Sequence, residues 1–182
     1  MTIPMVEPEL VVIEHHLTVR RTARYYTLGD ASAPVTDVWI VCHGFGQLAR
    51  PFVEEFRAIA RPGRLIVAPE ALSRFYLNRE GGRAGPNARV GATWMTREDR
   101  LAEIEDYVRY LDDLLGQVIG RRATNVRVTA LGFSQAAATT ARWLVHGTSK
   151  LDRVVLWAGL LPPDIDPAGA ARARLTTSEL YL

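Results

Sequence analysis

Strand and helix signals alternate along the chain from about residue 35 onward. The run at 35–42 is largely apolar and rich in β-branched residues, which is typical of a strand buried on both sides. Further strands are predicted at 65–68, 126–131, 153–158 and 179–182, and helices at about 48–59, 97–115 and 135–146. Such alternation builds a mostly parallel sheet covered by helices on both faces. The sequence therefore predicts a three-layer α/β class, with residues 1–182 in a single domain.

Two segments outside this alternation carry weaker predictions. Residues 10–13 and 17–26 suggest a leading antiparallel hairpin. Residues 71–95 are predicted to form a long glycine-rich connection, and loops of that length in compact domains are usually functional or disordered. Thr96 is predicted to cap the helix that follows this connection.

Charge and composition exclude several classes of function. The chain has 22 Lys+Arg against 20 Asp+Glu, and a net charge of +2 spread along the sequence gives a weak field, so no nucleic-acid partner is expected. No apolar run approaches the roughly 18 residues that span a bilayer, so no stable membrane insertion is expected. With a single cysteine and no secretion signal, the expected location is cytoplasmic. The sequence has no metal-ligand motif and no phosphate loop, so neither a metal nor a cofactor is expected.

The strongest chemical signal is Gly132-Phe133-Ser134-Gln135-Ala136, which lies between a predicted strand and a predicted helix. A nucleophile elbow presents serine at such a turn, and only small residues fit two positions to either side. Gly132 and Ala136 meet that demand. The alternative is an ordinary strand-to-helix turn with a capping serine, and the five residues alone leave both interpretations open.

A second segment favours the elbow. An oxyanion formed beside Ser134 needs two converging N–H donors, one from the residue after the serine and one from a loop after an earlier strand. His43-Gly44-Phe45-Gly46 is such a loop, so the predicted oxyanion hole consists of the backbone N–H groups of Phe45 and Gln135. The preferred interpretation of His43 is a structural imidazole bonded within the turn.

Together, these two motifs resemble the phospholipase/carboxylesterase family of α/β-hydrolases, which includes acyl-protein thioesterases. The resemblance covers roughly residues 35–160. It implies a Ser-Asp-His esterase that acts on acyl esters or thioesters without a cofactor, with Ser134 as the catalytic nucleophile. Two positions depart from the family pattern: Ala136 stands where glycine is usual, and 94–96 matches its counterpart only loosely.

The catalytic partners of Ser134 are not evident in the sequence. His146 ends the same predicted helix and, at ~1.5 Å rise per residue, lies roughly 18 Å from the serine. The family's acid and histidine follow the strand predicted at 179–182, so both are expected to be absent from this chain. Asp164 and Asp166 are alternatives for the acid, or else turn residues.

Four further inferences complete the prediction. The chain is either a fragment of a longer hydrolase or a shortened relative, and the alternative function is a non-catalytic α/β-hydrolase-like binding module. The expected substrate is a small or medium acyl ester. Its pocket is predicted to draw on aromatic and sulfur side chains near the sheet edge, namely Phe45, Phe75, Tyr76, Trp94 and Met95. An exposed sheet edge near 179–182 predicts a homodimer.

Overall fold

A computed structural model describes residues 11–30, 34–77, 85, 87–120 and 125–182. The strands are β1 (Tyr25–Leu28), β2 (Asp37–Cys42), β3 (Arg64–Pro69), β4 (Ser73–Tyr76), β5 (Val90–Thr93), β6 (Arg127–Phe133), β7 (Arg153–Trp157) and β8 (Glu179–Tyr181). The helices are α1 (Ala49–Glu54), α2 (Arg100–Ile119), α3 (Gln135–His146) and α4 (Arg172–Thr176), with a 3₁₀ turn at Arg57–Ile59. Six strands form one sheet in the order β1-β3-β2-β6-β7-β8. Only β1 runs antiparallel, so the predicted mostly parallel α/β sheet is confirmed.

The two faces of the sheet are buried by different helices. Alternating side chains of β2 divide between the faces, with Val38 and Ile40 in the larger apolar cluster and Val41 in the smaller one. The larger cluster packs under α2 and α3. The smaller cluster packs under the short helix α1, through Ala49, Phe52 and Val53.

Helix α1 leaves part of its face of the sheet open. A groove of about 1010 Å³ runs from α1 across β6 and β7. Its apolar lining includes Trp39, Phe133, Val155 and Trp157, and Trp157 is 61% exposed. We call this surface the open face.

The predicted leading hairpin is wrong. Residues 11–24 have no regular secondary structure, and Leu10 lies outside the described residues. The apolar residues in this segment, such as Val12 and Leu17, stay exposed because no neighbouring strand pairs with them. Only Tyr25–Leu28 forms a strand, and it pairs with β3 rather than with an upstream strand.

The segment at 71–95 contains more structure than a loop. Strands β4 and β5 pair antiparallel as a two-stranded ribbon, and the glycines at 81 and 82 lie outside the described residues.

Helix α2 begins at Arg100 and its N-cap is Asp99, so the predicted cap at Thr96 is also wrong. Thr96 instead donates its N–H and hydroxyl to the Glu103 carboxylate. Among the described helices, none has the length and apolar character needed to cross a membrane.

Candidate functional site

Ser134 occupies the sharp turn between β6 and α3. Its φ of 55° and ψ of −114° lie outside the regions that residues with a side chain prefer, and such strained positions persist only where the surroundings fix them. One fixed contact is the Ser134 N–H, which donates to the Trp157 carbonyl at 2.8 Å. The Ser134 residue is exposed. The surrounding structure therefore holds the strained Ser134 residue, and with it a hydroxyl group, at the carboxyl edge of the sheet.

Small residues around the turn allow it to form. A Cβ at Gly132 would lie 2.1 Å from the Ala136 carbonyl oxygen, and one at Gly159 would lie 2.5 Å from the Ser134 carbonyl oxygen. Ala136 itself is fully buried. The requirement for small residues at 132 and 136 thus has a direct steric cause. Gly159 adds a third such position, which the sequence motif did not indicate.

The loop after β2 passes directly beside Ser134. A Cβ added to Gly44 would be 3.3 Å from the Ser134 Cβ. Within the loop, the Gly44 N–H donates to the Gln47 side chain at 2.7 Å, and the Gly46 N–H donates to the Ala92 carbonyl at 2.9 Å. The latter bond ties the loop to β5, so the loop and the turn meet as two fixed backbone segments.

Two N–H groups on these segments are unused. In the described part of the chain, neither the Phe45 N–H nor the Gln135 N–H donates a hydrogen bond to a protein acceptor. The Gln135 N–H lies at the N-terminus of α3, where N–H groups have no acceptor within the helix. Both donors therefore remain free for an anionic group bound beside Ser134.

His43 is a buried structural imidazole. Its Nδ1 donates to the Gly44 carbonyl at 2.8 Å, and its Nε2 accepts the Ala71 N–H at 3.1 Å. Burial lowers the pKa of the His43 imidazole below its ordinary value of about 6.5, so the ring is neutral at pH 7. Neither ring nitrogen is free to accept a proton from a serine.

A model of the phospholipase/carboxylesterase family matches residues 26–178. The chain belongs to this family. No curated protein matches the chain.

Several solved structures have a similar fold. Acyl-protein thioesterase 2 from Zea mays superposes with a TM-score of 0.59 at 16% identity, over 87% of this chain and 74% of that one. Esterase PE8 gives 0.56 at 20% identity, over 87% of each chain. A carboxylesterase from Mesorhizobium loti gives 0.57 at 19% identity, over 80% of this chain and 65% of that one. At these identities the likeness shows the fold alone.

The predicted pocket residues do not share one environment in this family member. Phe45 is 59% exposed, and its ring packs on Phe75 with centroids 5.1 Å apart. Strand alternation turns Tyr76 to the opposite side of β4 from Phe75. Trp94 is 2% exposed and belongs to the core, while Met95 is half-buried and its sulfur contacts the Arg142 guanidinium. Only Phe45 and Phe75 form an accessible apolar pair.

The side chains of the remaining histidines do not bond to Ser134. His16 bonds to the Asp99 carboxylate at 2.9 Å, and the side chains of His15 and His146 make no hydrogen bond within the described residues.

Both candidate acids, Asp164 and Asp166, form hydrogen bonds with groups other than a histidine. Asp164 forms a two-point ion pair with Arg142, with Nε and one terminal nitrogen at 2.8 and 2.6 Å from its two oxygens. Asp166 accepts the Ala168 N–H at 2.9 Å, so it is a turn residue.

One group of side chains could offer metal ligands. Glu14, His16 and Asp99 each place a ligand atom within 4.8 Å of the others. All three residues are exposed, and exposed acidic groups are common without an ion. The cluster shares no residue with the turn at Ser134.

Proposed function

We propose that this chain is a serine hydrolase of carboxylic esters, with Ser134 as the nucleophile and the N–H groups of Phe45 and Gln135 as the oxyanion hole. The observation that carries the proposal is the meeting of an exposed, strained serine with two N–H groups that have no protein acceptor. An ordinary capping serine would need neither the strain nor the adjoining loop. Membership of the family supports the same reaction class.

The reaction follows from this geometry. The Ser134 oxygen attacks the carbonyl carbon of the ester, the hydroxyl proton passes to a base, and the carbonyl π electrons move to oxygen. The resulting oxyanion receives hydrogen bonds from the Phe45 and Gln135 N–H groups. Collapse of the tetrahedral intermediate expels the alcohol or thiol, and water then cleaves the acyl-serine to release the acid.

Among the described residues, no side chain bonds to the Ser134 hydroxyl as a proton acceptor. The four histidines of the sequence include none that bonds to Ser134, and His43 uses both of its ring nitrogens elsewhere. Without a base, an oxyanion hole and substrate binding still give about 10³–10⁴-fold acceleration over water. We therefore expect slow acylation of Ser134 and even slower release of the acyl group.

Labelling tests the assignment of Ser134. A fluorophosphonate forms a P–O bond to an activated serine and loses fluoride, so peptide mass spectrometry should locate the adduct on Ser134. Added imidazole should accelerate the reaction because it supplies the absent base. The Ser134→Ala variant should not be labelled.

Failure of folded wild-type protein to react, with and without imidazole, would contradict the proposal. It would favour the alternative of a non-catalytic α/β-hydrolase-like binding module. Equal ester hydrolysis by wild type and Ser134→Ala would show that any measured turnover comes from elsewhere.

The substrate we propose is a small or medium acyl ester or thioester. Phe45 follows Gly44, where an added Cβ would lie 3.3 Å from the Ser134 Cβ, and its exposed ring packs on Phe75. This aromatic pair gives an acyl or alcohol group an apolar contact at the turn. Tyr76 and Trp94 are left out of the proposed contact surface because of the direction of the first and the burial of the second.

We also propose that the chain self-associates through the edge of the sheet. Among the described strands, β8 is outermost and pairs with β7 alone, so the backbone groups on its other side have no described partner strand. Leu180 and Tyr181 on this strand are 37% and 50% exposed. Sedimentation velocity should show dimers that increase with concentration.

Lysine on an edge strand opposes such pairing. Leu180→Lys should therefore shift the population to monomer, whereas Val12→Lys, at a position exposed away from the sheet, should not. A wild-type protein that stays monomeric at all concentrations would refute the edge contact.

A further inference from the structure

We propose that the side chains of Trp94 and Gln135 form a brace that aligns the two N–H donors of the oxyanion hole. This inference rests on the function proposed above and assigns positioning roles to two side chains. Trp94 would act without touching substrate, since it is 2% exposed. Gln135 would have two roles, a backbone N–H toward the oxyanion and a side chain toward the brace.

The first half of the brace joins Trp94 to the loop after β2. The indole N–H of Trp94 donates to the His43 carbonyl at 2.7 Å, and the indole lies 5.4 Å from the His43 ring, centroid to centroid. The His43 carbonyl belongs to the peptide that precedes Gly44. Fixing that peptide constrains the backbone one residue before the Phe45 N–H.

The second half joins the same segment to the turn at Ser134. The Gln135 side-chain oxygen accepts the Trp94 backbone N–H at 3.1 Å. Its side-chain nitrogen donates to the Met95 carbonyl and to the Thr93 hydroxyl, both at 2.9 Å. Gln135 thus holds three consecutive residues with one amide group.

The brace matters because the two donors come from distant parts of the chain. Phe45 follows β2, and Gln135 opens α3, with no backbone hydrogen bond directly between the two segments at these residues. Trp94 donates one bond to each segment, from its indole N–H to the His43 carbonyl and from its backbone N–H to the Gln135 side chain, so it fixes their separation. An oxyanion hole depends on both donors being preorganised, and loss of one donor costs about 10²–10³-fold in rate.

The test compares two buried tryptophans. Trp94→Phe removes the indole N–H from the brace and keeps an aromatic ring in the core. Trp143→Phe is the matched control, because the Trp143 indole is also fully buried and also donates at 2.7 Å, but to Asp112 beyond the site. Both variants lose one indole hydrogen bond and keep an aromatic ring in the core.

Two rates are measured with imidazole present. One is acylation of Ser134 by p-nitrophenyl acetate, and the other is acylation by its thiono analogue, in which sulfur replaces the carbonyl oxygen. An aligned pair of N–H donors stabilises developing charge on oxygen better than on the larger sulfur, so the oxygen-to-sulfur rate ratio reports alignment. Partial unfolding would lower both rates and leave the ratio unchanged.

We expect Trp94→Phe to slow the oxygen ester about tenfold or more and to lower the rate ratio, and Trp143→Phe to leave the ratio at the wild-type value. Gln135→Met, which keeps the chain length without the amide, should lower the ratio as well and serves if Trp94→Phe does not fold. Wild-type ratios in the brace variants would overturn the brace and leave Ser134 as the nucleophile. Absence of acylation in the wild type would remove the proposed function itself, and the brace with it.

Discussion

Replacing Gly132 by alanine is expected to destabilise the protein by about 3 kcal/mol, which is a large share of the roughly 5–15 kcal/mol by which a domain is usually stable. The added Cβ would lie 2.1 Å from the Ala136 carbonyl oxygen and 2.5 Å from the Thr140 hydroxyl. The carbonyl is backbone of α3, so relief would require that helix to move away from β6. Urea unfolding followed by circular dichroism measures the loss.

Gly116→Ala is the control for this substitution. Gly116 lies in α2, and a Cβ there would meet nothing within 4 Å. Alanine in a helix interior is favoured over glycine by roughly 0.5–1 kcal/mol, so this variant should be more stable than the wild type. A Gly132→Ala protein as stable as the wild type would show that the turn is looser than the contacts around it indicate.

The second large effect is expected at Arg142. Its side chain is 5% exposed and forms the two-point ion pair with Asp164, which ties α3 to the segment after β7. Arg142→Met should cost about 2–3 kcal/mol, because it removes both hydrogen bonds of this pair and leaves Asp164 with the single contact to Arg100 at 3.2 Å. Arg109→Met is the matched control, since the Arg109–Asp106 pair is exposed on α2 and such pairs contribute at most about 0.5 kcal/mol.

This ion pair also predicts how stability depends on pH. The Arg142 guanidinium, hydrogen-bonded to Asp164, holds the pKa of that carboxyl far below its ordinary value. A lowered folded-state pKa means that the stabilisation is complete above the unfolded pKa of about 3.9 and is lost as pH falls toward the folded pKa. Between about pH 5 and pH 2, the wild type should therefore lose more free energy of unfolding than Arg142→Met. Parallel losses in the two proteins would contradict this role of the pair.

The backbone features of the site could be predicted from sequence because each depends on local steric rules. Gly132 and Ala136 flank Ser134 at the spacing that a tight turn requires, and a strand signal before the turn and a helix signal after it placed the turn at the sheet edge. The loop at His43 was predictable because it directly follows a buried strand, which places it at the carboxyl edge of the sheet. The mostly parallel sheet followed from the alternation of elements.

The environments of side chains were harder to predict. The sequence predicts Trp94 in a pocket because an aromatic residue near a predicted loop can contact substrate, yet long-range pairing of its indole with the rings of His43 and Tyr107 places it in the core. Nothing in the local sequence reports that pairing. The ion pair of Asp164 was equally hard to predict, because its partner Arg142 lies on another element and no spacing rule connects the two residues.

The two faces of the sheet are buried to different extents, and this difference affects how readily each side of the molecule opens locally. Helix α3, which begins at Gln135, packs on the larger apolar cluster, whereas the loop of Phe45 leads into α1 on the smaller cluster beside the open face. Regions with less buried apolar contact exchange their amide hydrogens through smaller local openings. Deuterium should therefore enter the amides of α1 well before those of α3, so the two segments that carry the proposed oxyanion hole would open at different rates.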